Sequence, residues 1–282
     1  MCHGAATIVN AIATGKGAAF GLGLRTWADV ETLPSEGIEV EIEGFEGEDP
    51  TLVRMCVQAV LDRFSPEEGL GAAVRTRSEI PVSRGLKSSS AAANAAIAAT
   101  LDALGADCEP LDAIRIGTGC AIEAGVSVTG AFDDAYASYF GGVVVTDNER
   151  ERVMRTGQMP DGLRAVIHVP PFQIRKNSLP LDRIRSLRDI VGIAWECAKE
   201  GEYLGAMTLN GLCYSAALGL DQTVALDALR LGARSAGLSG TGPATVMLVD
   251  EEKVDDFLTS MDLEGEVIVT DIFNGYSGRE RR

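Results

Sequence analysis

The sequence predicts a mixed fold of helices and strands, built either as one large domain or as two modest domains that share a cleft. Its 282 residues exceed the usual size of a single hydrophobic core. Apolar residues make up 46% of the chain, enough to bury a core, and the 32 glycines indicate many tight turns. Segments typical of strands also alternate with segments typical of helices along the whole chain.

The first half of the chain predicts strands that flank three helices. Residues 5–30 indicate a strand, a glycine turn near Gly23 and a second strand, and 38–43 alternates apolar and acidic residues as a half-exposed strand does. Gly105 is a suitable cap at the end of a long Ala-rich helix, and Pro110 is a good first-turn residue for the next helix. The predicted helices are 51–64, 88–104 and 110–123, and the further strands are 72–80 and 141–145.

The second half repeats the mixture of strands and helices after a charged stretch. Residues 149–158 are polar and charged, so we predict a domain boundary there. Apolar side chains recur at helical intervals through 181–200, which indicates an amphipathic helix. The remaining predicted helices are 203–218, 222–235 and a short one between the last two strands; the predicted strands are 163–169, 244–249 and 266–272.

The charge of the chain restricts its partners. Asp and Glu number 41 against 25 Lys and Arg, and the net charge of −16 disfavours binding to nucleic acid or to an anionic membrane. Only five of the cations are Lys, and this skew with the acidity is typical of a protein from a salt-rich cytoplasm. We expect a cytoplasmic protein that is not exported. Its six cysteines, without a CxxC pair, predict neither disulfides nor a zinc site.

The segment 81–91, PVSRGLKSSSA, lies between a predicted strand and the longest predicted helix. A glycine turn that leads into a helix presents free backbone N–H groups and the positive end of the helix dipole, as a polyphosphate requires. The alternative is that Ser88 only caps a surface helix. The predicted phosphate-binding residues are Pro81, Gly85, Leu86, Lys87, Ser88, Ser89, Ser90 and Ala91.

A second glycine loop occurs far along the chain, at 238–244, before a predicted strand. Taken by itself it indicates a plain turn before a strand. In company with the first loop, it makes Ser239, Gly240, Thr241 and Gly242 candidate cofactor-binding residues.

The two loops resemble motifs of the GHMP kinases. Residues 81–91 are similar to the second motif of that family, and 239–243 to its third, carboxy-terminal glycine motif. A weaker counterpart of the first motif lies at 10–23, so the three occur in the family order and span almost the whole chain. Within the family, 8–19, 81–90 and 127–134 are most similar to the archaeal shikimate kinases.

This resemblance implies an α+β, two-domain GHMP kinase fold. An N-terminal α/β domain with a left-handed βαβ crossover would occupy 1–155, and a C-terminal ferredoxin-like α+β domain 156–282, with ATP between them. The implied activity is transfer of a phosphoryl group from ATP to the shikimate 3-hydroxyl, with Mg²⁺. Rival interpretations are homoserine kinase, a nucleotide-binding module without turnover, and an RNA-binding domain, which the charge disfavours. No oligomeric state is predicted.

Two carboxylates are candidates for the chemistry, Glu123 at the end of a predicted helix and Asp134 eleven residues later. In relatives with a catalytic aspartate, a helix glutamate binds magnesium, the aspartate follows at that spacing, and a serine and a glycine pair come next. The resemblance therefore implies Asp134 as the base and Ser89 with Glu123 as magnesium ligands. Asp133 is the competing base, because its distance from Gly130 also fits.

Two departures from the family pattern concern lysines. Many relatives have glycine where this chain has Lys87, so this side chain either reaches a phosphate or points to solvent. Several relatives also carry an activating lysine near the amino terminus, at a position that falls here near His3, and Lys16 is the candidate replacement. For the carboxylate of shikimate the candidate ligands are Arg84, Arg175 and Lys176.

Overall fold

The structure is a computed structural model, and it describes residues 1–44, 47–65, 69–172, 174 and 179–275. Its first half begins with two long strands and then alternates helices and strands. The elements are β1 Cys2–Val9, β2 Lys16–Leu33, β3 Ile38–Ile42, α1 Thr51–Phe64, β4 Gly71–Ser78, α2 Ser88–Leu104, α3 Pro110–Glu123, α4 Phe132–Phe140, β5 Val143–Asp147 and β6 Arg152–Gly157.

The second half carries most of its helices between its first two strands. The elements are β7 Leu163–Val169, α5 Leu181–Ser186, α6 Arg188–Glu200, α7 Tyr203–Leu218, α8 Thr223–Arg230, β8 Ser235–Leu238, β9 Thr245–Asp250, α9 Val254–Ser260 and β10 Glu266–Phe273. Every helix among the described residues is too short or too polar to cross a bilayer.

One sheet runs through both halves. Its main path is β3-β4-β2-β10-β7-β9-β8, with β1 and β5 also paired to the long β2, and β6 paired to β5. The strands β10, β7, β9 and β8 are mutually antiparallel and follow the order 4-1-3-2, which is the ferredoxin-like arrangement. In the other half, β3 and β4 are parallel and α1 connects them as a βαβ unit. The predicted α+β fold class is confirmed.

The helix α2 lies at the centre of the first half, against α1, α3, α4 and strand β2. Its predicted bounds are confirmed at both ends, and Gly105 caps it with φ +59°. Alanine side chains leave little bulk between a helix and its neighbours, so α2 approaches the sheet and three helices at once. This packing places the first turn of α2 at the centre of the fold.

Strand β2 corrects one prediction. The turn expected near Gly23 is instead at residues 10–15, and β2 continues unbroken through Gly21 and Gly23. A Cβ atom at Gly21 would lie 2.6 Å from the Phe273 carbonyl oxygen, and one at Gly23 would lie 2.7 Å from Thr270 Oγ1. These glycines therefore allow β10 to approach β2 and do not make a turn.

Two other predicted boundaries, both of helices, are also corrected. The helix expected over 181–200 is divided at Leu187 into α5 and α6, and the one expected over 222–235 ends at Arg230 before strand β8. The charged stretch 149–158 contains β6, which pairs with β5. The proposed boundary at residue 155 thus falls inside β6, and the division of the chain into 1–155 and 156–282 stays a prediction.

Candidate active site

A cavity of about 520 Å³ opens between the two glycine loops and the connection from α3 to α4. One wall is the loop before α2 with the loop at 240–242, and the opposite wall is formed by 117–135. Of the predicted site residues, the ones that line this cavity are Gly85, Lys87, Ser88, Ser89, Ser90, Asp134, Gly240, Thr241 and Gly242. The structure therefore brings together the two loops and the aspartate that the sequence places far apart.

The loop before α2 is wound by three residues with positive φ, namely Ser83 at +58°, Gly85 at +86° and Lys87 at +66°. Lys87 occupies the N-cap position of α2 and makes no side-chain capping bond, so Ser88 is the first helical residue and not the cap. The first N–H groups of a helix have no partners within the helix. They and the hydroxyls of the following serines suit the binding of an anion at this end of α2.

The two glycine loops are joined by hydrogen bonds through Ser239. Ser239 Oγ donates to the Gly85 carbonyl at 2.8 Å and accepts from the Thr7 amide at 3.2 Å, while the Gly240 amide donates to Thr7 Oγ1 at 2.9 Å. A Cβ atom on Gly85 would collide with the Ser239 carbonyl. The loops thus form one braced unit in which Ser239 supports the site from behind the lining.

Asp134 lies in the first turn of α4 and faces the braced loops. Its Oδ2 accepts from Lys87 Nζ at 2.9 Å, and the two side chains are only 12% and 10% exposed. Its other oxygen, Oδ1, is buried and has no hydrogen-bond partner. Because a buried acceptor without a partner is costly, this oxygen is ready to bind a hydroxyl donor that enters the cavity.

Asp133 also borders the cavity, but its carboxylate is held by the protein. Asn148 Nδ2 donates to Asp133 Oδ1 at 2.7 Å, and a Cβ atom on Gly17 would collide with Oδ2. Burial, reinforced by the negative charge of Asp134, raises the pKa of Asp133 to about 7, although Lys87 and Asn148 act in the opposite direction. The geometry favours Asp134 over Asp133 as the group that meets a substrate.

Two predicted residues lie outside the cavity lining. Glu123 is the exposed last residue of α3. Lys16 Nζ lies 4.5 Å from the ring centroid of Trp195, in a cation–π contact. The metal-binding role of Glu123 and the catalytic role of Lys16 stay predictions. Four further predicted residues also lie outside the lining and support the loops from their flanks or from the core: Pro81, Leu86, Ala91 and Ser239.

The predicted ligands for a substrate carboxylate fall into two groups. Arg84 donates from Nη1 to the Pro170 carbonyl at 3.0 Å and to the Phe172 carbonyl, so its guanidinium holds the chain that follows β7. Arg175 and Lys176 lie outside the described residues. Arg84 thus serves as a brace in this structure.

Sequence reasoning missed several polar residues in the lining, among them Thr7, Asn10 and Asn94. Asn94 is almost fully buried on α2, and its Nδ2 donates to the Ala135 carbonyl at 2.9 Å, which fixes α4 against α2. A single amide in an otherwise Ala-rich helix was the available signal. Asn10 belongs to the weak first motif, and Thr7 carries no recognisable pattern.

The site suits a nucleoside triphosphate together with its divalent cation. Mg²⁺ is usually held by one or two carboxylates together with substrate phosphates and water, so it needs no closed protein cage. No cluster of three or more His, Cys, Asp or Glu suited to a metal occurs in the part of the chain that the structure describes. Serine hydroxyls, a helix N-terminus and the unpartnered Asp134 Oδ1 all converge on the cavity, and this donor set fits the group.

The fold and this cavity define a protein of the GHMP kinase class. Residues 51–142 match the family model described as the GHMP kinases N terminal domain. Among solved structures, Leishmania major mevalonate kinase with R-mevalonate aligns at a TM-score of 0.75 and 15% identity, covering 98% of this chain and 96% of that one. A homoserine kinase from Cytophaga hutchinsonii aligns at 0.69 and 18% identity, covering 97% and 95%. At these identities the likeness concerns the fold.

The sequence relatives are more specific. A shikimate kinase of Methanothrix thermoacetophila is 47% identical over 98% of this chain and 94% of its own length. A shikimate kinase of Methanococcoides burtonii is 49% identical over 96% of this chain and 94% of its own length. One of Halobacterium salinarum is 43% identical over 90% of this chain and 89% of its own length. The chain belongs to this archaeal shikimate kinase family.

Proposed function

We propose that the protein phosphorylates the 3-hydroxyl of shikimate with ATP to give shikimate 3-phosphate and ADP. The observation that carries the proposal is the Asp134 carboxylate, which belongs to the cavity lining beside the loop at the start of α2 and has one oxygen without a hydrogen-bond partner. Phosphoryl transfer to an alcohol needs this pairing of a phosphate cradle and a proton acceptor. The high identity to shikimate kinases over nearly full length supports shikimate as the acceptor.

The proposed roles follow the geometry of the cavity. The first turn of α2, with Ser88 to Ser90, binds the phosphates of ATP through N–H and hydroxyl donors. Asp134 Oδ1 accepts the proton of the acceptor hydroxyl as the oxygen of that hydroxyl forms its bond to the γ-phosphorus and the bond to the ADP oxygen breaks. Mg²⁺ would supply positive charge beside the phosphate oxygens, and we propose that Ser89 would hold it from the cavity wall. The second proposed ligand, Glu123, would have to turn towards the cavity from its exposed position at the end of α3.

A side-by-side assay of acceptors tests this function. Purified protein in concentrated KCl, which screens the self-repulsion of a chain with net charge −16, is supplied with MgATP and with either shikimate or homoserine. We expect ADP release with shikimate only, and a phosphate monoester of shikimate in the phosphorus NMR spectrum. Turnover of homoserine instead, or ATP binding without phosphorylation of either acceptor, would reject the proposal.

A further inference from the structure

Lys87 is the one cationic side chain among the described residues that line the cavity. Its Nζ contacts Asp134 Oδ2 at 2.9 Å, and both partners are nearly buried. An ion pair removed from water in this way is far stronger than a surface pair. The position of the ammonium therefore constrains the conformation of the aspartate.

The pair divides the two oxygens of Asp134 between two tasks. Oδ2 is bound by the ammonium, and Oδ1 is buried and has no partner. A half-turn of the carboxylate exchanges two equivalent oxygens, so in either position one oxygen is bound by the ammonium and the other has no partner. The ion pair therefore restricts the orientation of the carboxylate while one of its oxygens stays without a donor.

The ammonium itself has little freedom to move. Lys87 adopts φ +66°, a conformation that is unfavourable for a non-glycine residue and persists where the surroundings impose it. A Cβ atom on Gly240 would lie 3.0 Å from Lys87 Nζ, so the ammonium is packed against the second glycine loop. Lys87 thus connects both loops to the aspartate on α4.

The basic residues near the amino terminus, His3 and Lys16, do not take the place of Lys87 beside Asp134. Burial lowers the pKa of His3 to about 4, so its ring is uncharged near neutral pH, and its Nδ1 lies 3.1 Å from the Leu22 carbonyl oxygen. Lys16 contacts Trp195. The charge that faces the carboxylates within the described part of the cavity comes from the phosphate loop.

We propose that Lys87 is a positioning residue that orients the base Asp134, and that holding the phosphates is not its main task. This inference rests on the proposed function. Because Lys87 belongs to the loop that begins α2, the base is aligned only when that loop has adopted its folded form. The phosphate site and the proton acceptor are then assembled by a single ion pair.

The first experiment compares Lys87→Met with Lys253→Met, a matched loss of one lysine charge at an exposed site. We expect Lys87→Met to lower kcat about 100-fold, as misplacement of a reacting group does, with the KM for ATP within about threefold of the parent value. A large rise in the KM for ATP with kcat unchanged would identify a phosphate ligand and overturn the proposal. Kinetics equal to those of Lys253→Met would also overturn it.

A pH profile separates positioning from mere packing. The positive charge of Lys87 lowers the pKa of the Asp133 carboxyl, so removal of Lys87 should move the acidic limb of kcat/KM to higher pH. Tyr214 also lies near Asp133, and burial raises its pKa beyond the range of this limb. A lower rate with an unmoved limb would contradict the proposal.

Chemical rescue covers the case in which the methionine variant folds poorly. Lys87→Ala leaves space for a small cation, so ethylammonium should restore part of kcat, whereas the neutral analogue propanol should not. Absence of rescue in a variant with parental thermal unfolding would count against the proposal. The proposed function and the proposed role of Lys87 can fail separately. If the parent protein does not phosphorylate shikimate, the function is rejected. If the Asp134→Asn variant stays active, the assignment of Asp134 as the base is rejected.

Discussion

The two walls of the cavity are built in different ways. The wall of the glycine loops is tied by long-range bonds, in which Ser239 joins Gly85 to Thr7 across most of the chain. The connection between α3 and α4, residues 124–131, is tied locally, for example by the Val126 amide to the Ala121 carbonyl at 3.0 Å, and it presents Val128 at 56% exposure. Groups that must keep a fixed geometry are braced by distant parts of the chain, while a surface that admits a ligand tolerates local support.

The largest effect is expected at the point where the walls meet, at Asp134. Asp134→Asn removes the proton acceptor, so kcat should fall about 10²- to 10⁴-fold. The affinity for ATP, measured by calorimetric titration, should change little because the phosphate loop is intact. Turnover within a few-fold of the parent protein would reject Asp134 as the base.

Gly85→Ala tests the braced wall directly. The residue has φ +86°, and an added Cβ would collide with the Ser239 carbonyl, which is backbone and has little room to move. We expect the free energy of unfolding to fall by at least about 2 kcal/mol and ATP binding to weaken. Gly119→Ala in α3 is the matched control, because its Cβ meets nothing within 4 Å and alanine stabilises a helix by about 0.5–1 kcal/mol. Equal stabilities of the two variants would show that the brace is unimportant.

Asp133→Asn sharpens the contrast between the neighbouring aspartates through pH. The folded-state pKa of Asp133, about 7, is above its ordinary value of 3.8, so between these values the folded protein binds more protons than the unfolded chain. Its contribution to stability is therefore present at low pH and is lost as the pH rises towards and through 7.

An asparagine at position 133 carries no charge, so it does not bear the cost of a buried negative charge at high pH. Its side-chain oxygen can still accept the hydrogen bond from Asn148. The free energy of unfolding of Asp133→Asn minus that of the parent protein should therefore be at least about 1 kcal/mol larger at pH 8 than at pH 5. Urea denaturation at constant KCl measures this difference. An equal difference between variant and parent at both pH values would contradict the assignment.

The smallest effect is expected on the locally tied wall. Val128→Ala truncates an exposed side chain, so its free energy of unfolding should change by less than about 0.5 kcal/mol in thermal or urea denaturation. A loss comparable to that of Gly85→Ala would remove the distinction between the two walls.

Much of the fold and one wall of the site could be predicted from local sequence. The bounds of α2 and α3 follow from helical composition with Gly105 and Pro110 at their ends, and the loop at 81–91 has a pattern that its function requires. Helix α4, with Asp133 and Asp134 in its first turn, was not predicted. In the structure these aspartates lie in the first turn, where negative charge suits the helix dipole.

Contacts between distant residues could not be predicted from local patterns. The pairing of Lys87 with Asp134 depends on how α4 packs against α2, which Asn94 fixes through its bond to Ala135. The family resemblance implied Glu123 as a companion of Asp134, but periodicity does not determine which way the last side chain of a helix points. The structure places that carboxylate in solvent.

Strand β10 restricts how the molecule can open. It pairs with β2 on one side and with β7 on the other, so the sheet is continuous between the halves. A hinge motion that rotated one half against the other would break main-chain hydrogen bonds along this single strand. The continuous sheet therefore opposes rotation of the two halves against each other.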